Sequence, residues 1–164
     1  MSNSVPSATY GNIVIRLRDE YTGGSAYGGV TFTAHAGKSI SNTGFFGSGG
    51  AVFLSSKDSI IHEAPACVAA PLVTMVAKNA ISLGIKGQGD LPIPVRLYAP
   101  QQLSITTKHL SVGDVMLLGE PEHGFISCKK LTLSKSTEED PAHFEVVKSW
   151  VMNDDVEIEI NSNY

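Results

Sequence analysis

Ile13-Val14-Ile15-Arg16-Leu17-Arg18 is followed by a turn region from Asp19 to Gly29, with glycines at 23, 24, 28 and 29, and then by Val30-Thr31-Phe32-Thr33-Ala34. In both flanking pieces large or small apolar residues recur at every second position. That period belongs to a strand with one face buried, not to a helix. Glycines between two such pieces supply the backbone freedom a tight turn needs. The next segment repeats the arrangement: residues 37–50 carry five glycines around Phe45-Phe46, and Ala51-Val52-Phe53-Leu54 predicts a short buried strand.

Further along the chain the same reading continues. Val95-Arg96-Leu97, Leu103-Ser104-Ile105, Val115 to Leu118, Phe125 to Leu133, His143 to Met152 and Val156 to Ile160 predict strands. Ser111 to Asp114 predicts a turn, and Asn153-Asp154-Asp155 predicts a hairpin between the last two strands. Residues 64–86 differ, being rich in Ala, Val and Leu. Pro71 suits a first helical position, Leu72, Met75, Val76 and Leu83 roughly follow helical spacing, and Gly84 can stop a helix. At most one short helix is therefore expected, over about residues 71–83, against which the β-branched content argues. No internal repeat is evident. Strands every ten residues or so give a mainly β fold, read as an antiparallel β-sandwich or barrel. Polar residues 1–10 read as a flexible or docking arm and residues 11–164 as one β-rich domain. A sub-boundary falls near Gly87-Gln88-Gly89-Asp90.

Ile13 to Asp19, Gly29-Val30-Thr31-Phe32-Thr33-Ala34-His35-Ala36-Gly37, Thr43 and Gly50-Ala51-Val52-Phe53-Leu54 together resemble the bacterial and phage immunoglobulin-like domains of the invasin type. The resemblance covers about a third of the chain. It departs from the family at Gly24 to Gly29, where a Gly-x-Pro-Val turn is usual. It implies an immunoglobulin-like sandwich of the kind found on adhesins and on phage capsids and tails, used for binding or assembly, and it carries no site residues over.

Composition narrows the classes. Of 164 residues, 42% are hydrophobic, enough for a folded core, while 17% are charged, below the roughly 25% usual in soluble proteins. A surface rich in Ser, Thr, Asn and Gly follows, suited to packing against partners. The formal net charge is −4 and the densest basic pair is Lys129-Lys130, so no phosphate-binding cluster is legible and nucleic acid is not an expected partner. The start of the chain lacks a basic, then apolar, leader, and no apolar run reaches the ~18 residues of a membrane helix. The expectation is a chain made in the cytoplasm without a signal peptide and with no membrane partner. Cys67 and Cys128 lie among small and apolar neighbours, and free buried thiols are the default there.

No motif assigns catalysis. A nucleophile needs a base in reach, and none of His35, His62, His109, His123 or His143 falls in a recognisable pattern with Ser or Cys. Phe46-Gly47-Ser48-Gly49-Gly50 looks like a protease run but reads as a glycine turn before a strand. Glu120-Pro121-Glu122-His123 gathers two carboxylates and an imidazole. A zinc site needs three or four convergent ligands, commonly from separate elements, so a solvated loop is the simpler reading. Glu138-Glu139-Asp140 and Asp154-Asp155 lack a calcium-loop spacing. No catalytic, cofactor or metal residue is assigned. Phe45 and Phe46 are interface candidates, because adjacent residues of an extended segment point to opposite sides.

The function expected from this reading is non-enzymatic. It is a structural or assembly protein, a virion component such as a phage capsid decoration or tail protein, homo-oligomeric or packed with other virion proteins. Two alternatives stand beside it: a small ligand- or carbohydrate-binding, adhesin-like β-module, and a small metal-dependent enzyme using the 120–123 loop.

Overall fold

A computed structural model describes residues 7–23, 25–85, 94–119, 121–135, 151–153 and 155–162. The chain winds as a parallel β-solenoid. Each of the first six coils contributes one strand to each of three sheets, and β19 and β20 add a seventh strand to the second and third. The first sheet stacks β1 (Ser7–Thr9), β4 (Ala26–Gly28), β7 (Phe45–Ser48), β10 (Cys67–Ala69), β13 (Val95–Tyr98) and β16 (Val115–Leu117). The second stacks β2 (Asn12–Leu17), β5 (Thr31–Ala36), β8 (Ala51–Ser56), β11 (Leu72–Ala77), β14 (Gln102–Thr106), β17 (His123–Ser127) and β19 (Val151–Met152). The third stacks β3 (Tyr21–Gly23), β6 (Ser39–Asn42), β9 (Ser59–His62), β12 (Ala80–Leu83), β15 (His109–Val112), β18 (Lys130–Lys135) and β20 (Glu157–Ser162).

Every strand pairing among the described residues is parallel, so the antiparallel sandwich or barrel expected from the sequence is corrected, and with it the immunoglobulin-like sandwich that the resemblance implied. The physical reason lies at the glycine turns. Each turns the chain into the next sheet instead of reversing it onto its neighbour. A strand therefore meets its partner one coil later. Along the second sheet the register advances 19 residues from Asn12 to Thr31, 20 to Ala51, 21 to Leu72, 30 to Gln102 and 21 to His123. The structure thus has a repeat where none was evident in the sequence. The long step contains residues 84–94, between β12 and β13. The expected sub-boundary at 87–90 lies outside the described residues, while β11 pairs with β14 and β12 with β15 across it.

Alternation builds the core. In β5, β8 and β11 every second side chain is buried. Register places these inward residues in columns: Phe32, Val52, Val73 and Leu103 form one, and Ala34, Leu54, Met75, Ile105 and Ile126 the next. On the third sheet Tyr21, Ile40, Ile60, Ile81, Leu110 and Leu131 make another. Each full burial of such a side chain is worth about 1.5–3 kcal/mol. The expected helix over 71–83 does not form. Leu72 to Ala77 alternates out and in as β11, Lys78-Asn79 turns, and Ala80–Leu83 is β12. The expected hairpin around Asn153 is likewise replaced, because β19 and β20 belong to different sheets. The long strand expected over 125–133 is β17 and β18, separated by a corner at Cys128-Lys129.

At one corner the backbone itself demands glycine. Gly84 has φ +69°, and a Cβ there would land on the Asp114 carbonyl oxygen of the next coil. Corner amides are satisfied by the neighbouring coil, as where Gly113 N–H donates to Leu83 O (2.8 Å) and Asp114 N–H to Gly84 O (2.8 Å). Near the C-terminal end the side chain of Asn153 takes over this work. Its Oδ1 accepts from Cys128 N–H (2.9 Å) and its Nδ2 donates to Cys128 O (2.8 Å).

Candidate functional site

The outer face of the first sheet is apolar. Phe45, Cys67, Arg96 and Met116 occupy one outward column, and Tyr27, Gly47, Ala69 and Tyr98 the next, continued by Leu118. Tyr27, Phe45, Tyr98, Met116 and Leu118 are all exposed. The ring of Phe45 lies across the bare backbone of Gly47, where a Cβ would collide with its Cε1 and Cζ. The glycine therefore lets an aromatic ring lie close against the sheet. Strand alternation splits the expected pair: Phe45 is 36% exposed on this face, whereas Phe46 is 0% exposed inside the coil. There Phe46 stacks with Tyr21 (centroids 5.6 Å apart) and Phe32 (5.1 Å) and meets the edge of His62 (6.2 Å). Phe46 is thus a core residue. Burial pushes the Tyr21 phenol up to about 12, so it is neutral there.

The corner between the second and third sheets carries cations. Hydrogen bonds between coils fix its register: Gly37 N–H donates to Leu17 O (2.9 Å), Lys57 N–H to Ala36 O (3.1 Å), Lys78 N–H to Ser56 O (3.2 Å) and Lys129 N–H to Lys108 O (2.9 Å). Arg18, Lys57, Lys78, Lys108 and Lys129 consequently recur at this edge on successive coils, with Gly37-Lys38 in the second coil. Rungs of a sheet are ~4.8 Å apart. Where Gly37 leaves out a side chain, a shallow cleft of about 470 Å³ opens, lined by Arg16, Arg18, His35, Ser55 and Lys57 among others. His35 leans on Phe53 at its margin (5.7 Å between centroids). The nearby acids are engaged elsewhere: Asp19 lies 3.6 Å from Lys38 Nζ, and Asp58 accepts from Asn79 Nδ2 (2.8 Å). Sequence reasoning missed this edge because its cations are about a coil apart in the chain. A count of Lys and Arg at steps near twenty would have found it.

Among the described residues the remaining candidates do not converge. Glu120 lies outside the described residues, as do Glu138 to Asp140, His143 and Asp154. Glu122 is exposed, and His123 stacks on Phe125 (6.3 Å) along the second sheet. Among the described residues no group of three His, Cys, Asp or Glu could hold a metal ion. Both cysteines are free, and burial pushes both thiols up, that of Cys67 against the opposing pull of Arg96. A raised thiol is a poor thiolate nucleophile. Ser48, in the protease-like run, is buried and its Oγ accepts from Gly50 N–H (3.1 Å) at a corner. No described helix is long and apolar enough to cross a membrane.

Among the described residues His62 is the one imidazole sealed in the core. Asn42 Oδ1 accepts from Gly44 N–H (2.9 Å), which leaves Asn42 Nδ2 to donate to His62 Nδ1 (3.0 Å). The proton of the neutral ring is then on Nε2, which has no partner. Burial holds its pKa down to about 4. It is a neutral core group, not a base facing a cleft.

Searches with this chain against protein-family models, curated proteins and solved structures each returned no match.

Proposed function

We propose that the chain is a non-enzymatic assembly module, a stiff β-solenoid that associates with a second copy of itself through the outer face of the first sheet. The observation that carries this reading is the exposed apolar surface made by Tyr27, Phe45, Tyr98, Met116 and Leu118 on one sheet. Monomeric proteins rarely leave contiguous apolar area open without a use. Two sheets packed face to face sit about 10 Å apart with their outward side chains interleaved, and these rings suit that geometry. Arg96, the cation of the face, can lie on a tyrosine ring of the opposing copy, as guanidinium groups do. The virion setting that composition, low charge and the resemblance led us to expect is not part of the proposal.

Light scattering on a sizing column tests it. The expected wild-type result is a defined oligomer at about 50 µM, and F45E/Y98E is expected to run as a folded monomer, since two desolvated charges at an interface centre cost several kcal/mol. A wild-type chain that stays monomeric at that concentration overturns the reading.

A further inference from the structure

A stack of like charges is not what folding alone selects. Two cations one rung apart repel by roughly 1 kcal/mol even in water. The corner between the second and third sheets nevertheless places Arg18, Lys57, Lys78, Lys108 and Lys129 one above another. Serine or asparagine would make the same turn without the repulsion. Net charge makes the edge more notable, because the chain as a whole is at −4.

We propose that this edge binds a linear acidic polysaccharide, with one carboxylate or sulfate per sugar, and that the cleft beside Gly37 seats one acid group among Arg16, Arg18 and Lys57. Three features select this ligand. The cations form a single row, suited to one polymer strand, whereas a nucleic-acid duplex presents two phosphate strands. From Lys57 to Lys129 the cations rise ~4.8 Å per coil, about the length of one pyranose in an extended chain, and Arg18 stands two coils from Lys57 with Gly37 between them. Two positions before Lys57, Lys108 and Lys129, Ser55, Thr106 and Ser127 offer hydroxyls to sugars, while Arg16 and Val76 hold the same place before Arg18 and Lys78. Single-stranded nucleic acid is held by base stacking on aromatic rings beside the cations; at this cleft the rings of His35 and Phe53 lean on each other, and the oligonucleotide comparator tests that ligand. Among the described residues the acids along the edge include Asp19, 3.6 Å from Lys38 Nζ, Asp58, which accepts from Asn79, Asp155, near Lys129, and Glu157, whose N–H donates to Lys129 O. Asp19 and Asp58 follow their cations toward the third sheet. The cleft lining contains no carboxylate.

The experiment measures binding of polygalacturonate to the full chain, with neutral dextran, oligodeoxythymidylate and anionic phospholipid vesicles as comparators. Wild type is expected to bind polygalacturonate, to weaken as salt rises because counterions are released, and to ignore dextran. R16S/R18S/K57S is expected to lose at least about tenfold in affinity with a melting temperature no lower than that of wild type. K78S/K108S, farther along the edge, is expected to weaken binding as well. Absence of wild-type binding overturns the proposal. So does full affinity in both edge variants, or tighter binding of the oligonucleotide or the vesicles than of the polysaccharide.

Discussion

His62 shows how one buried ring ties acidity to stability. Its pKa is held down to about 4 by burial, against 6.5 when exposed. The unfolded chain therefore takes up the proton first. The sign follows: this contribution is whole above the unfolded value and is lost as pH falls from 6.5 toward 4. Urea denaturation should show a loss of roughly 2 kcal/mol between pH 7.5 and pH 5, growing to about 3 by pH 4. H62L should lack this component of the acid limb, while losing about 1–3 kcal/mol at neutral pH because Asn42 is left without its acceptor. The two phenylalanines give a second test. F46A should cost about 3–5 kcal/mol by the same measurement, for the ring is enclosed by Tyr21, Phe32 and His62, whereas F45A on the open face should change stability by under about 1 kcal/mol. The sequence made legible that neighbouring residues of a strand part company. It did not say which of the two faces inward, because that depends on the side of the coil on which the strand begins.

Strands were easier to read than what joins them. β2, β5 and β8 fall where Ile13, Val30 and Ala51 begin alternating runs. The glycines between them were also visible, but a hairpin turn and a solenoid corner draw on the same residues. The difference lies in how far the chain rotates, and that is decided by which strand arrives next. Residues 71–83 misled for a related reason: Leu72, Met75 and Val76 match a helical spacing, yet Val73, Met75 and Ala77 match a period of two, and contact with β8 and β14 selects the second. The corners are themselves testable. G84A should destabilise by about 1–3 kcal/mol in urea, since the residue sits at positive φ with the Asp114 carbonyl where the methyl would go. A neutral result would mean that the corner shifts to make room.

At the scale of the whole molecule each coil packs mainly on its neighbours, which predicts tolerance to losing one intact coil. Deleting residues 51–71 removes one strand from each sheet and brings Leu72 into the register of Ala51 on β5. Circular dichroism should still report a folded β protein, with a lower melting temperature and a smaller urea m-value, because solenoid stability is a sum over coils and interfaces. Removing 51–60 instead, half a coil, should abolish folding, because inward and outward columns no longer line up across three sheets. By itself the sequence determined that the chain is mainly β, that alternating runs from Ile13 onward bury one side, and that no residue pattern announces catalysis. Those facts are local: they depend on side-chain period and on turn chemistry within ten residues. The parallel winding, the aromatic face and the cationic edge were decided by tertiary structure alone. Each joins residues about twenty or more positions apart, and the inward columns accept any apolar side chain of suitable size, so the coils share a shape without sharing residues. Only the stacking of one coil on the next puts Phe45 and Tyr98 on one face, or Arg18 into line with Lys57.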